Sequence, residues 1–217
     1  MPSGRVLSCV VFCVLLLGYI EVRPVEASSI SDELLVQRVL DGQEEAFGVL
    51  VSRYQNRVFS LVHRIVNIPE EVEDVAQEVF VTLYRSLSGF RGDCAFSTWL
   101  YRVTVNHCKN RLKYLQRRNF HRAQEIDDTP EKDFQARVSV ALADPEQQFL
   151  GRELEKCIHF ELSQLDEEYR IILVLRDIEH LAYDEISGIT GLPLGTVKSR
   201  LHRARGALKE RMERYFQ

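Results

Sequence analysis

The stretch LAYDEISGITGLPLGTVKSRLHRAR, residues 181–205, decides the fold. A short helical run from Tyr183 to Thr190 meets the turn Gly191-Leu192-Pro193, and a longer helix follows from Leu194 to about Tyr215. In that helix Val197, Leu201, Ala204, Leu208 and Met212 recur at helical spacing on one face, which is core. At about 100° per residue, the opposite side carries Ser199, His202, Arg203 and Gly206. Lys198, Arg205 and Lys209 lie on one flank of it, Arg200 and Arg211 on the other. A reading face with basic edges, behind a short helix and a tight turn, has the form of a helix-turn-helix whose second helix enters the major groove. The simpler alternative is a solvated amphipathic helix, and the short preceding helix and turn favour the DNA reader over it.

Working outward, Glu167 to His180 and Pro145 to Leu162 read as further helices. Asp144-Pro145-Glu146-Gln147 starts the latter, with a capping residue, proline in the first turn and glutamine three past the cap. The C-terminal domain is therefore residues 144–217. Before it, residues 119–143 are acidic, hold Pro130 and read as a flexible linker. The N-terminal domain, 28–118, has three helical runs. From Glu45 to Val66, Phe47, Leu50, Val51, Tyr54, Val58, Leu61 and Ile65 form one apolar face. Pro69 opens a second run to about Leu87, with acidic residues at the positive end of its dipole. After the loop that begins at Phe90, Ser97 caps a third run reaching about Arg118. No repeat and no alternating strand pattern is present, so the class is all-α: two helical domains on a linker.

Net charge is −4, but its distribution is uneven. Tyr101 to Arg122 holds seven basic residues and no acidic one; Thr190 to Gln217 holds seven basic and two acidic; Ala123 to Glu168 holds thirteen acidic and four basic. Two basic segments thus flank an acidic one, the electrostatic footprint of nucleic-acid binding. On the third helix, Tyr101, Val105, Cys108, Leu112 and Leu115 make an apolar stripe, while Arg102, Asn106, Lys109, Lys113 and Arg117 share another face. Cations and amides without carboxylates can track a phosphate backbone. Phe90, Phe96 and Trp99 beside them suit stacking on single-stranded bases, with core packing as the competing role for Trp99. On the second helix, Asp74, Gln77, Glu78 and Val81 form an outward stripe that would repel DNA and suits a protein partner, or is an ordinary solvated face.

Cys9, Cys13, Cys94, Cys108 and Cys157 show no paired spacing, so neither a zinc site nor a disulfide framework is expected. His107 beside Cys108 and His159 near Cys157 read as ordinary helix residues, because no second pair stands at ligand spacing. A phosphate loop, a nucleophile with its base and a carboxylate pair for acid-base work are all missing, and no cofactor or catalysis is expected. The N-terminus conflicts with this cytosolic pattern. Val6 to Ile20 is a fifteen-residue apolar run. Residues 1–27 are open to three readings: upstream sequence appended by a mis-assigned start codon, a membrane tether, or an export signal. The first is preferred because everything after Ser28 reads as cytoplasmic.

The strings EVEDVAQEVF (71–80) and FRGDCAFSTWLYRV (90–103), followed by Asn106, resemble the second conserved region of extracytoplasmic-function sigma factors. LAYDEI (181–186) and GTVKSRLHRAR (195–205) are similar to that family's fourth region, in the family's order and separation. The resemblance implies a transcription initiation factor whose partners are core RNA polymerase, promoter DNA and an anti-sigma factor. It assigns Asp74, Gln77 and Glu78 to the clamp helices of the polymerase's largest subunit. It also implies that the Phe90 to Phe96 loop, with Asn106, Lys109 and Asn110, captures an unpaired −10 base, beside the Lys113 of the same basic face. Lys198, Ser199, His202 and Arg203 would read the −35 element. The regions of full-length sigma factors that precede the second and separate it from the fourth are missing, as in small members. The rival classes are a stand-alone helix-turn-helix regulator, which has no use for the first domain's charged faces, and an exported or membrane-held interaction protein.

Overall fold

A computed structural model of the chain describes residues 30–125 and 156–215, with side chains described over 30–118 and 156–215. The apolar run in residues 1–27, the linker beyond residue 125 and the helix start at Asp144 to Gln147 lie outside the described residues. Every regular element among the described residues is helical.

Four helices build the first body: α1 (Asp32–Leu40), α2 (Glu44–Val66), α3 (Pro69–Ser86) and α4 (Phe96–Glu125). The sequence reading did not include α1, which is too short to show a full periodic stripe. It is fixed instead by its cap and its docking. The Ser31 side chain accepts the Leu34 N–H at 3.3 Å, and Asp32 takes an ion pair from Arg53 and a hydroxyl from Tyr54 on α2. Gly42, at φ 90°, turns the chain into α2. Asn67 ends α2 in the left-handed region, at φ 54°, and Pro69 opens α3. The apolar face expected on α2 is buried throughout, together with the α3 set Val72, Val75, Ala76, Val79, Phe80 and Leu83.

The expected end of the third run near Arg118 is corrected: α4 continues to Glu125, so the first seven residues assigned to the linker are helical. The segment Gln116 to Arg122 contains neither proline nor glycine, and nothing in its backbone chemistry stops the helix.

The second body contains α5 (156–163), α6 (Glu167–Leu173), α7 (Tyr183–Thr190) and α8 (Leu194–Met212). The run expected from Glu167 to His180 is a helix only in its first half. It widens into a π turn at Val174–Ile178 and ends at His180, whose φ of 57° is left-handed. Gly191, at φ 72°, makes the turn between α7 and α8 that sequence reading placed there. Val197, Leu201 and Ala204 are buried as expected, whereas Leu208 and Met212, placed on the same face, are only partly buried.

The two bodies are not independent. Helix α4 packs on α7, and α2 packs on α6 and the π turn. Cys108, Tyr101 and Val105 share a hydrophobic cluster with Ile171, Val174, Leu175, Ile186, Ile189 and Val197. The apolar stripe of α4 therefore serves both as domain core and as the seat of the second domain. Polar contacts cross the same seam. Tyr101 donates its hydroxyl to Glu179 at 2.9 Å, and Thr98 donates to Glu185 at 3.3 Å. The Tyr101 phenol is pushed up to about 12 by burial and by the Glu179 carboxylate.

Candidate nucleic-acid and polymerase interfaces

Three surfaces carry the candidate residues. On α8, Lys198, Ser199, His202 and Arg203 are all exposed, on the side opposite buried Val197, Leu201 and Ala204. Their flanks are tied down. Arg200 pairs with Glu168 at 2.7 Å, and Arg205 forms a two-pronged contact with Asp177, one arm of it 3.0 Å long. Arg211, on the same flank as Arg200, pairs at 3.5 Å with Glu161, a carboxylate only 4% exposed. Glu161 also accepts the Tyr215 hydroxyl at 2.8 Å. Of the two remaining cations near the reading face, Lys198 lies 5.8 Å from the Tyr183 ring, and Arg203 has no ion-pair partner among the described residues. The helix is aimed by its entry. Glu185 accepts the Ala182 N–H at 2.8 Å, and the Ser187 hydroxyl donates to the Leu192 carbonyl at 2.6 Å across the turn.

On α4, Arg102, Asn106, Asn110, Lys113 and Arg117 are exposed and Lys109 is partly buried. None of these cations has an ion-pair partner among the described residues. The preceding loop turns at Gly92, with φ 75°. It brings together Phe90, Phe96 and Trp99, whose ring centroids are 5.3 Å apart for Phe90 and Trp99 and 5.7 Å for Phe90 and Phe96. Here one expectation is corrected. Phe96 is 1% exposed, wedged against Tyr54 of α2 as well as its loop neighbours, so it cannot offer a face to a base. It opens α4 on the side that faces α2, and burial there wins over exposure. Trp99, 7% exposed, takes the packing role that competed with stacking. Phe90 remains partly exposed, supported from beneath by both rings.

On α3, Asp74 and Glu78 are exposed, while Gln77 and Val81 are partly buried. Arg111 of α4 reaches this stripe, pairing with Glu71 at 2.6 Å and Glu78 at 2.9 Å. His107 approaches the same Glu78 carboxylate at 3.5 Å and Thr82 at 2.9 Å. Asp74 has no such partner among the described residues. Sequence reading missed Arg111 and His107 here because their partners stand 25 to 40 residues upstream, beyond any helical period.

A helical two-domain protein with a helix-turn-helix, a basic helix face without ion pairs among the described residues and a separate acidic stripe is a DNA-binding protein with a further protein partner. Residues 50–118 match the family model Sigma-70 region 2, and residues 155–208 match Sigma-70, region 4. The chain is 39% identical over 188 residues to the ECF RNA polymerase sigma-E factor of Escherichia coli K12, spanning 86% of this chain and 97% of that protein. It is 40% identical over 185 residues to the RNA polymerase sigma-H factor of Pseudomonas aeruginosa, spanning 84% and 94%. The solved structure of CnrH with the cytosolic domain of CnrY shares the fold at TM-score 0.58 and 23% identity, covering 84% of this chain and 97% of CnrH. The chain belongs to the extracytoplasmic-function sigma factors of the sigma-70 family. It is an RNA polymerase sigma factor, a transcription initiation factor that directs polymerase to promoters, and not a stand-alone regulator. No helix among the described residues is long and apolar enough to cross a membrane.

Proposed function

We propose that three named surfaces divide the work of initiation in this chain. Asp74, Gln77 and Glu78, with Val81 at their edge, bind the clamp helices of the polymerase's largest subunit. Phe90, Asn106, Lys109, Asn110 and Lys113 hold the separated −10 strand, the ring stacking on a base and the cations following phosphates. Lys198, Ser199, His202 and Arg203 read −35 base edges in the major groove, where a guanidinium can grip guanine with two parallel hydrogen bonds. Phe96 and Trp99 act by supporting Phe90.

The observation that carries this reading is the selective pairing of charge on α8. Arg200, Arg205 and Arg211 are held by carboxylates of their own domain, whereas Lys198 and Arg203, the two cations of the set that matches the family's reading face, have no ion-pair partner among the described residues. The chain works in the cytoplasm and contributes no catalytic side chain of its own. An anti-sigma factor is the inhibitory partner we expect, as one accompanies RpoE in the solved complex with NepR from Bartonella quintana.

The test is transcription from genomic DNA by core polymerase with and without the purified chain, with start sites mapped. Starts that depend on the chain and share two upstream motifs are expected. Starts that do not change on adding it would overturn the proposal. Residues 28–217 alone are expected to give the same starts, since every surface lies beyond the apolar run.

A further inference from the structure

The seam between the two domains contains a pair of histidines that promoter reading does not use. His63, in the last turn of α2, and His159, on α5, stack with ring centroids 4.7 Å apart and planes tilted by 42°. His159 Nε2 and His63 Nδ1 are 3.2 Å apart, a hydrogen bond in which one ring donates its N–H to the bare nitrogen of the other. We propose that this contact is a proton-sensitive latch: with both rings neutral it holds the two DNA-binding domains closed on each other, and its protonation releases them.

The surroundings decide the sign. The charged groups acting on the pair are Arg64, from α2 beside His63, and Arg170, from α6, and both are cations. Arg170 is itself 8% exposed and donates to the Ser163 carbonyl at 2.9 Å, so it is held in place. A first proton leaves the N–H to N bond intact but puts a charge in a half-buried site that already feels two guanidinium groups. A second proton leaves two N–H groups facing each other, and the bond becomes a repulsion. Burial lowers the affinity of both rings for protons; His159, which also feels His63 and the arginines, is lowered to about 4.

In the open chain the rings would titrate near their ordinary value of about 6.5. Between that value and about 4 the open form binds more protons than the closed one, so closure is fully favoured above pH 6.5 and weakens as pH falls. His159 alone would raise the ratio of open to closed chain about tenfold between pH 7.5 and 5.5.

Release matters because the closed form cannot span a promoter, a step that rests on the functional reading above. The −35 and −10 elements are named for positions about 25 base pairs apart, or roughly 85 Å of duplex at about 3.4 Å per step. A compact chain of this size is only about 40 Å across. Acidification would thus raise the fraction of chain competent to bind both elements.

Cys108 reports the opening. It is 0% exposed on the α4 stripe, close enough to Glu167 and Arg170 of α6 to feel their charge, and burial pushes its thiol up to about 12. The experiment measures alkylation of Cys108 in the full chain by site-resolved mass spectrometry, relative to the denatured chain at the same pH. That ratio cancels the intrinsic pH dependence of the thiol. The wild-type chain should lose about tenfold of its protection from pH 7.5 to 5.5, whereas His159→Gln and His159→Asn, which remove the group that titrates, should each lose less than about threefold. Equal protection of the wild type at both pH values would overturn the latch, as would a tenfold loss in both variants. If one variant were unprotected already at pH 7.5, through misfolding, the other would decide. The assay needs neither polymerase nor DNA, so failure of the latch and failure of the promoter reading are told apart.

Discussion

Helices α4 and α8 carry comparable numbers of cations, and the structure treats them in opposite ways. On α8, Arg200, Arg205, Lys209 and Arg211 each meet a carboxylate from their own domain. On α4, Arg102, Lys109, Lys113 and Arg117 meet none among the described residues, and only Arg111 is engaged, toward α3. A helix that reads base edges must be held at one angle and register, and its flanking pairs brace it. A helix that follows phosphates gains from leaving its cations mobile, because counterion release rewards charge more than geometry. Basic residues alone therefore do not mark a DNA contact; what each side chain already holds decides.

The strongest way to break this comparison is Arg211→Ala. Loss of the guanidinium leaves Glu161 buried with the Tyr215 hydroxyl as its one partner among the described residues, and stranding a buried carboxylate costs about 3 kcal/mol. A denaturant midpoint should fall accordingly, while relative affinities for single-base −35 substitutions stay as they were. Arg211→Ala combined with Glu161→Gln should recover much of the stability, since the uncompensated charge is gone. A stable Arg211→Ala chain that binds all DNA sequences more weakly would instead make Arg211 a phosphate contact.

Arg203→Ala is the complementary change. Free of partners among the described residues and exposed, it should leave stability within about 0.5 kcal/mol. Binding should weaken by about 2 kcal/mol at the preferred base and relax preference at one −35 position. A panel of single-base −35 variants at two salt concentrations measures this. Uniform loss across the panel would mean that Arg203 does not read a base.

The contrast also shows where sequence stops being legible. The helix-turn-helix, the boundaries of α7 and three of the five core positions expected on α8 followed from local periodicity and turn chemistry, which are properties of neighbouring residues. Phe96 did not: its place among loop aromatics was clear, but only the position of Tyr54, forty-two residues upstream, decides that it is buried. The same limit hid the second use of the α4 stripe. Periodicity marked Tyr101, Val105 and Cys108 as apolar, and could not tell a domain core from a seat for α6 and α7. The His63 to His159 contact spans ninety-six residues and carries no periodic mark at all. Helix α1 was missed for a different reason: nine residues are too few to establish a stripe, and its anchor, Asp32, is polar.

On α4 a smaller effect is expected from Lys113→Ala. An exposed cation with no internal partner contributes to single-strand binding mainly through one released counterion, so the slope of log affinity against log salt should become shallower by about 0.7. Open-complex formation should weaken for all −10 sequences alike, and duplex −35 binding should be unchanged. Unequal losses among −10 sequences would argue for base reading by this helix rather than phosphate tracking.

The finest test lies on α3, where one stripe contains both kinds of charge. Asp74 is exposed with no partner among the described residues, whereas Glu78, half exposed, is bound to Arg111 and approached by His107. Asp74→Lys should therefore change stability by less than about 0.5 kcal/mol, the usual range for a solvated surface site. Glu78→Lys loses its ion pair and sets a cation against Arg111, but Arg111 keeps Glu71, which limits the extra cost to about 1 kcal/mol. Both reversals should weaken binding to core polymerase, because both present the wrong sign to a surface suited to carboxylates. Thermal unfolding and a core-polymerase pull-down on the same preparations separate the two quantities. If only Glu78→Lys weakened the pull-down, and in proportion to its lost stability, α3 would matter through its brace to α4. If Asp74→Lys weakened it with stability unchanged, the free carboxylate is itself a polymerase contact, and unpaired charge marks a partner surface on this helix.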